Sequence, residues 1–367
     1  MKFIFRVDAS IEMGTGHVMR CLTLADTVTL QGAVCYFICR EHRGNLIDLI
    51  KQRGYQVYIL PLDDMPVQSN NSSEDLKHSS WLGAVQEEDA ILCTSIIKSI
   101  QPEWVIIDHY ALDFRWEKMA RNYCKKIMVI DDLADRKHDC DILLDQTLGR
   151  DSYEYSQLVP KSCELLCGSN YALLRPEFAY WRQYSLRRRS SRIDKVLINL
   201  GGVDKENITA TVLKCLRGSL LHLECQIIVV MGQTAPWIED VRLQASLMPW
   251  KTEVKVGVEN MAELMANSDL AIGAAGSTSW ERCCLGLPTI MLVLADNQLL
   301  AAEMLENENA VIKLNVNEDI KSRIKDIINN FHNTPSLLNK LSSCSRAISD
   351  GSGSELVLKR LKVINEN

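Results

Sequence analysis

The 367-residue chain has no C-x-x-C pair, no excess of basic charge and no apolar run long enough to cross a bilayer. Each absence removes a class of function. Thirteen cysteines without close pairing do not make a zinc or dithiol centre, and they read as reduced, partly buried thiols. Lysine and arginine number 41 against 47 acidic residues, a net charge of −6. No surplus of base is available to neutralise a nucleic-acid backbone. A membrane span needs about 20 apolar residues, and Arg6 and Asp8 interrupt the first apolar run too early for a signal peptide. The expectation is a cytoplasmic monomer that acts on a small molecule, without nucleic acid and without stable membrane association. The chain also lacks a fixed-period repeat and a low-complexity tract. What is there is ordinary globular composition, 47% hydrophobic and 24% charged, over a length that suits two domains.

Short apolar runs alternate with longer amphipathic ones. The pattern predicts strands over 2–8, 33–39, 56–60, 104–107 and 126–130, and helices over 17–30, 44–53 and around Trp116. After the basic run 187–192 the alternation restarts, with strands over 195–200, 225–231, 253–256, 270–273, 289–294 and 311–313. This order implies parallel sheets covered on both faces. The expected fold is α/β: two Rossmann-type doubly wound domains, 1–186 and 193–367, facing a cleft. The basic run reads as a solvated linker. The final helix, 351–363, can pack back on the first domain. The polar stretch 61–80 has no period and reads as a long loop near a site.

In open α/β sheets, ligands sit beyond the carboxyl ends of the strands. The loops after strands are therefore the informative places. In Met13-Gly14-Thr15-Gly16-His17, Gly14 and Gly16 permit tight turns at a helix start, where free amides favour an anion. The third glycine of a dinucleotide fingerprint is missing, and so is the Gly-Lys-Ser/Thr of a Walker loop. His17 opens the helix, and a neutral imidazole there can serve as a general base. A capping or packing role suits it equally. In Asp108-His109-Tyr110, Asp108 can orient an imidazole and Tyr110 can donate to a sugar or phosphate; the plainer reading is a strand-end turn. Gly201 and Gly202 lead to Asp204 and Asn207, either a ligand loop or a simple turn with Asp204 as helix N-cap. The run Gly273–Glu281 is the most specific. Gly276, Ser277 and Thr278 suit a diphosphate, and Glu281, one helical turn after Ser277, suits a ribose diol. The plainer reading there is a capped buried helix. Asn297 and Gln298 open a helix after the strand 289–294.

Several ordered motifs resemble one family. They are Arg6-Val7-Asp8-Ala9, Gly14-Thr15-Gly16-His17-Val18-Met19-Arg20-Cys21-Leu22, Tyr171-Ala172-Leu173-Leu174-Arg175-Pro176-Glu177-Phe178, Gly201-Gly202-x-Asp204-x-x-Asn207 and Ala275-Gly276-Ser277-Thr278-x-Trp280-Glu281. Together they resemble the UDP-2,4-diacetamido-2,4,6-trideoxy-β-L-altropyranose hydrolases of pseudaminic acid biosynthesis. The resemblance implies a GT-B architecture. It implies attack of water at the anomeric carbon, C–O cleavage with inversion, and release of UDP and the free altrose derivative. It places the base at His17 and points to Tyr110 and Asn297 as sugar-side groups. The candidate substrate and UDP contacts are Gly14, Gly16, Arg20, Gly201, Gly202, Asp204, Asn207, Gly276, Ser277, Thr278, Glu281 and Gln298. UDP is a good leaving group, so a general acid is less necessary and one base suffices; no Asp-rich metal cage is visible, and no metal or cofactor is expected. Flagellin or surface-polysaccharide modification follows from the family alone. Two rival readings stand: a GT-B glycosyltransferase using a UDP-amino sugar donor, and a non-catalytic UDP-sugar binder, against which His17 argues. The loop 61–80 and the tail beyond residue 315 match no motif of the family.

Overall fold

The structure is a computed structural model and describes residues 1–62, 76–316 and 320–362. Most of the polar loop expected over 61–80 lies outside the described residues. Contacts divide the chain into two compact units, Leu174–Gly353 and Met1–Leu173, the latter joined by the segment from Ser354 onward.

The first unit is built on a parallel sheet of β1 (Lys2–Val7), β2 (Val34–Arg40), β3 (Gln56–Leu60), β4 (Trp104–Asp108), β5 (Lys126–Ile130), β6 (Ile142–Asp145) and β7 (Glu164–Cys167). Their spatial order is 3-2-1-4-5-6-7. β1 shows why the runs are continuously apolar. Phe3 and Phe5 face one side, with Val18 and Leu22 of the helix Gly16–Thr29. Ile4 faces the other, with Val105, Ile97 and Trp116. Both faces are covered, so both parities must be apolar. Phe5 stacks on Phe37 at 4.9 Å between ring centroids.

Arg6 breaks that pattern, and its charge is fully buried and matched. Its guanidinium donates to both oxygens of Asp89, at 3.1 and 2.7 Å, and pairs with Asp8 at 2.7 Å. Arg40 and Trp116 Nε1 donate to the same Asp89, at 2.8 and 2.9 Å. Two arginines thus meet two aspartates behind the carboxyl end of β1, which offsets the cost of burial.

The second unit carries β8 (Lys195–Asn199), β9 (Gln226–Met231), β10 (Lys251–Val256), β11 (Leu270–Ala274), β12 (Thr289–Val293) and β13 (Ile312–Asn315), in the order 10-9-8-11-12-13. Both sheets have the 3-2-1-4-5-6 winding of a doubly wound fold. The strand order reverses between β1 and β4 in one and between β8 and β11 in the other.

Three features depart from the sequence reading. β6 and β7 were not anticipated, because four-residue strands carry almost no period; the helix Gln86–Ile100 was also missed, although Ala90, Cys93, Ile97 and Ile100 recur at helical spacing on its buried face. The basic run is not a solvated linker throughout. Arg188 reaches Asp269 at 2.5 Å and Ser268 O at 3.0 Å, and Arg189 binds Leu285 O and Met265 O. Those side chains hold the helix Pro176–Arg188 within the second unit, so the compact units divide at Leu173/Leu174, upstream of the junction placed at 187–192. The chain then returns: Val357, Leu358 and Leu361 lie in the core of the first unit.

Candidate active site

In the first unit, Val7 at the end of β1 pairs with Asp108 at the end of β4. That register sets the turn after β1 beside Asp108, where the strand order reverses. The turn is folded on itself. Ser10 Oγ accepts from the amides of Glu12 and Met13, at 3.1 and 3.0 Å, and Ser10 O from Gly14, at 2.8 Å. Gly14 adopts φ +75°, which only glycine takes without strain, and a Cβ there would meet nothing. The amides of residues 12–14 are thus engaged internally. Gly16 begins the helix Gly16–Thr29.

His17 and Arg20 stand one turn apart on that helix, and both reach Asp108. His17 Nδ1 lies 2.6 Å from Asp108 Oδ1. Arg20 grips the same carboxylate from Nε and Nη2, at 2.6 and 2.7 Å, and its Nη1 donates to Asp132 at 2.9 Å. Asp108 is fully buried, and the charge of Arg20, with hydrogen bonds from Arg20 and His17, overcomes desolvation to hold it well below the usual carboxylate range. An ionised Asp108 accepts the proton of Nδ1–H. His17 is then the tautomer whose Nε2 is free to take a proton. Arg20, expected as a substrate contact, is fully engaged in holding this carboxylate.

Tyr110 packs edge-on against His17, with centroids 4.6 Å apart. Its ring is buried, and its hydroxyl donates to Asp132. Trp81 stacks on Tyr110 at 5.7 Å, and His78 lies 4.5 Å from Trp81 and 5.4 Å from Tyr110. Asp132, Trp81 and His78 escaped the sequence reading. Asp132 lies two residues beyond the end of β5, the strand that neighbours β4, a signal that was available. Trp81 and His78 sit in a segment without period, and no local pattern marked them.

In the second unit, Asn199 of β8 pairs with Gly273 of β11, which aligns the two predicted loops at the other strand-order reversal. Gly201 takes φ +91° and faces open space. Asp204 accepts from the amides of Ile208 and Thr209, both at 2.9 Å, so its plainer role as a cap is present. Asn207 binds Asp240 at 2.6 Å. Gly202 O fills the space a side chain at Gly232 would need. On the other loop, Gly276 also faces open space, and Ser277 makes no capping bond. The helix that follows, Thr278–Cys284, has only seven residues. Positive charge here comes from within. Arg282 is buried, donates to Ala274 O at 2.6 Å, Thr278 Oγ1 at 3.1 Å and Ser279 Oγ at 3.2 Å, and forms no ion pair among the described residues. Because Thr278 Oγ1 accepts from Arg282, its own hydrogen is directed elsewhere. Glu281 is half-buried and has no hydrogen-bond partner among the described residues; burial pushes it up to about 7, against the pull of Arg175 and Arg282. Asn297 is exposed, whereas Gln298 accepts from Leu294 N at 2.9 Å.

The chain is 31% identical over 278 residues to UDP-2,4-diacetamido-2,4,6-trideoxy-β-L-altropyranose hydrolase of Campylobacter jejuni, covering 76% of this chain and 86% of that one. The chain belongs to that hydrolase family. Residues 196–353 match the glycosyltransferase family 28 C-terminal domain. MJ1062 of Methanocaldococcus jannaschii, described as uncharacterized, is 26% identical over 297 residues, and the chain spans 55% of its length and matches over 80% of its own. Among solved structures, MurG of Acinetobacter baumannii superposes with a TM-score of 0.68 at 15% identity, over 99% of both chains. The fold is GT-B, as in MurG, and family members thus share it with glycosyltransferases. No helix among the described residues is long and apolar enough to cross a membrane.

Proposed function

We propose that the protein is a UDP-sugar hydrolase that releases UDP from UDP-2,4-diacetamido-2,4,6-trideoxy-β-L-altropyranose, without a metal. The observation that carries this reading is the Asp108–His17 pair, which leaves a proton-accepting Nε2 at a strand-order reversal. The family relationship supports this choice of substrate. Water attacks the anomeric carbon as His17 Nε2 takes its proton. The C–O bond breaks on the opposite face, and its electron pair leaves on the β-phosphate of UDP, with inversion. UDP is a stable anion at neutral pH, so no strong general acid is required. The hydroxyls of Ser277 and Thr278 serve the diphosphate, with the buried charge of Arg282 behind them. Glu281 accepts the ribose hydroxyls.

Incubation with the UDP-sugar in EDTA, with no acceptor, tests this directly. The expected result is stoichiometric UDP and free sugar of inverted anomeric configuration, seen by NMR before mutarotation. Binding without release, or release that needs an added divalent ion, would sink the reading. The match of residues 196–353 to a glycosyltransferase domain favours one rival, transfer to a sugar or lipid acceptor. That rival predicts negligible UDP release until an acceptor is supplied.

A further inference from the structure

The buried ring of Tyr110 and its hydroxyl, which donates to Asp132, leave it little to offer a substrate directly. What covers it is different. Trp81 stacks on Tyr110 at 26° between planes, and His78 packs against both rings. Four rings, His17, Tyr110, Trp81 and His78, thus make one continuous cluster that begins at the base. The outer two are half-exposed. Among the described residues, neither Trp81 Nε1 nor a ring nitrogen of His78 has a hydrogen-bond partner.

Their position is fixed from beneath. Trp81 lies on the short helix Ser79–Leu82, whose Leu82 is 1% exposed in the core beside β4. Gly83 ends that helix at φ +67°, and a side chain there would collide with Leu62 and His42. A half-exposed indole that is held rigidly, with a free N–H, is the usual construction of a binding surface rather than a core filler.

We propose that Trp81 and His78 form the sugar-recognition wall of the site, binding the acetamido groups and the deoxy face of the substrate; this rests on the hydrolase reading above. The chemistry matches in kind. The named sugar carries two acetamido groups and a methyl at C6. An acetamido carbonyl takes the Trp81 N–H, which can only donate. Burial, with help from Lys77, keeps His78 below the usual histidine range, so near pH 7 it is a neutral ring with one donor and one acceptor. An acetamido N–H can meet that acceptor. The methyl groups lie on the indole face. A sugar bearing hydroxyls in place of acetamido groups loses the apolar part of this contact.

The experiment compares unmodified protein with Trp81→Ala, Trp81→Phe and His78→Ala. It reads kcat and KM for the UDP-sugar and, by calorimetry, the affinity for UDP alone. Stacking and one hydrogen bond together imply a rise in KM of roughly tenfold for Trp81→Ala, with UDP affinity unchanged. Trp81→Phe should recover the stacking share and not the N–H share. It also decides the matter if Trp81→Ala does not fold. An unchanged KM in folded Trp81→Phe and His78→Ala overturns the proposal, as does an equal loss of UDP affinity and substrate affinity. If the unmodified protein binds UDP but does not turn over the UDP-sugar, the hydrolase reading itself fails and takes this one with it.

Discussion

Asp108 and His17 are 91 residues apart in sequence and share a 2.6 Å hydrogen bond between Oδ1 and Nδ1. Arg20 holds the other side of the carboxylate. The arrangement fixes the imidazole's tautomer and ring orientation together. Asp108→Asn would present an amide that can donate to Nδ1 and so reverse the tautomer. The expected outcome is a kcat lower by about 10²–10⁴, with Arg20 left short of a counter-charge and a lower melting temperature. A variant with normal kcat would remove Asp108 from the mechanism.

His17→Asn should bind UDP as the unmodified protein does, because the groups assigned to UDP lie in the second unit. Turnover should fall by about 10²–10⁴, the usual worth of a general base. Calorimetry with UDP and a UDP-release assay check the two halves. Retained turnover would exclude His17 as the base.

Glu281 carries a pH prediction. Its carboxyl is pushed up to about 7 by burial. Only the ionised form accepts two ribose hydroxyls fully, so UDP affinity should rise from pH 6 to pH 8. Glu281→Gln should bind more weakly at pH 8 and show a flat profile. The same shift acts on stability. A carboxyl raised above its unfolded value of 4.5 favours the fold below that pH and loses this contribution as pH climbs through 7. Glu281→Gln should therefore compare best with the unmodified protein at alkaline pH in thermal melts.

Asp89 has the opposite sign. Burial works against its charge, but Arg6 and Arg40 hold it down to about 2. Its contribution to stability is present above pH 3.8 and disappears as pH falls toward 2. Asp89→Asn leaves two buried arginines short of a counter-charge and should cost ~3–5 kcal/mol at neutral pH. Urea titrations at pH 7 and pH 3 should show that difference shrinking in acid. A constant difference would mean that packing around Trp116, not charge, dominates.

Gly232→Ala tests the loop geometry of the second unit. Its new methyl would overlap the carbonyl of Gly202. Backbone cannot swing aside as a side chain does, so a loss of ~1–3 kcal/mol is expected. The loop Gly201–Asn207 would shift with it, and UDP affinity should fall as well. Gly276→Ala, which meets open space, should fold normally.

The central strands were legible because they are buried on both faces and, the ion-paired Arg6 apart, are apolar at successive positions. Phe3–Val7, Val105–Ile107 and Met128–Ile130 announce themselves that way. The glycine loops after β1, β8 and β11 were legible too, since a turn at the carboxyl end of a strand restricts residue type locally. Asp108 was readable as a partner for an imidazole, though which imidazole was not. Other assignments were hidden. Arg20, Asp204 and Asn207 look like ligand contacts in one dimension, yet they bind Asp108, two backbone amides and Asp240. β6 and β7 were missed because four residues are too few to show a period.

The sequence alone determined the alternation of strand and helix, hence two parallel sheets, and it marked the glycine-bearing turns that follow β1, β8 and β11. Those properties follow from neighbours along the chain. Only the tertiary structure decided that Asp108 faces His17, that Arg282 is buried with no ion-pair partner among the described residues, that Asp132 joins Arg20 to Tyr110, and that Trp81 and His78 cover Tyr110. Each depends on strand order and register, which bring residues tens of positions apart into contact through long-range packing. A local pattern records which face a residue occupies but not what lies opposite.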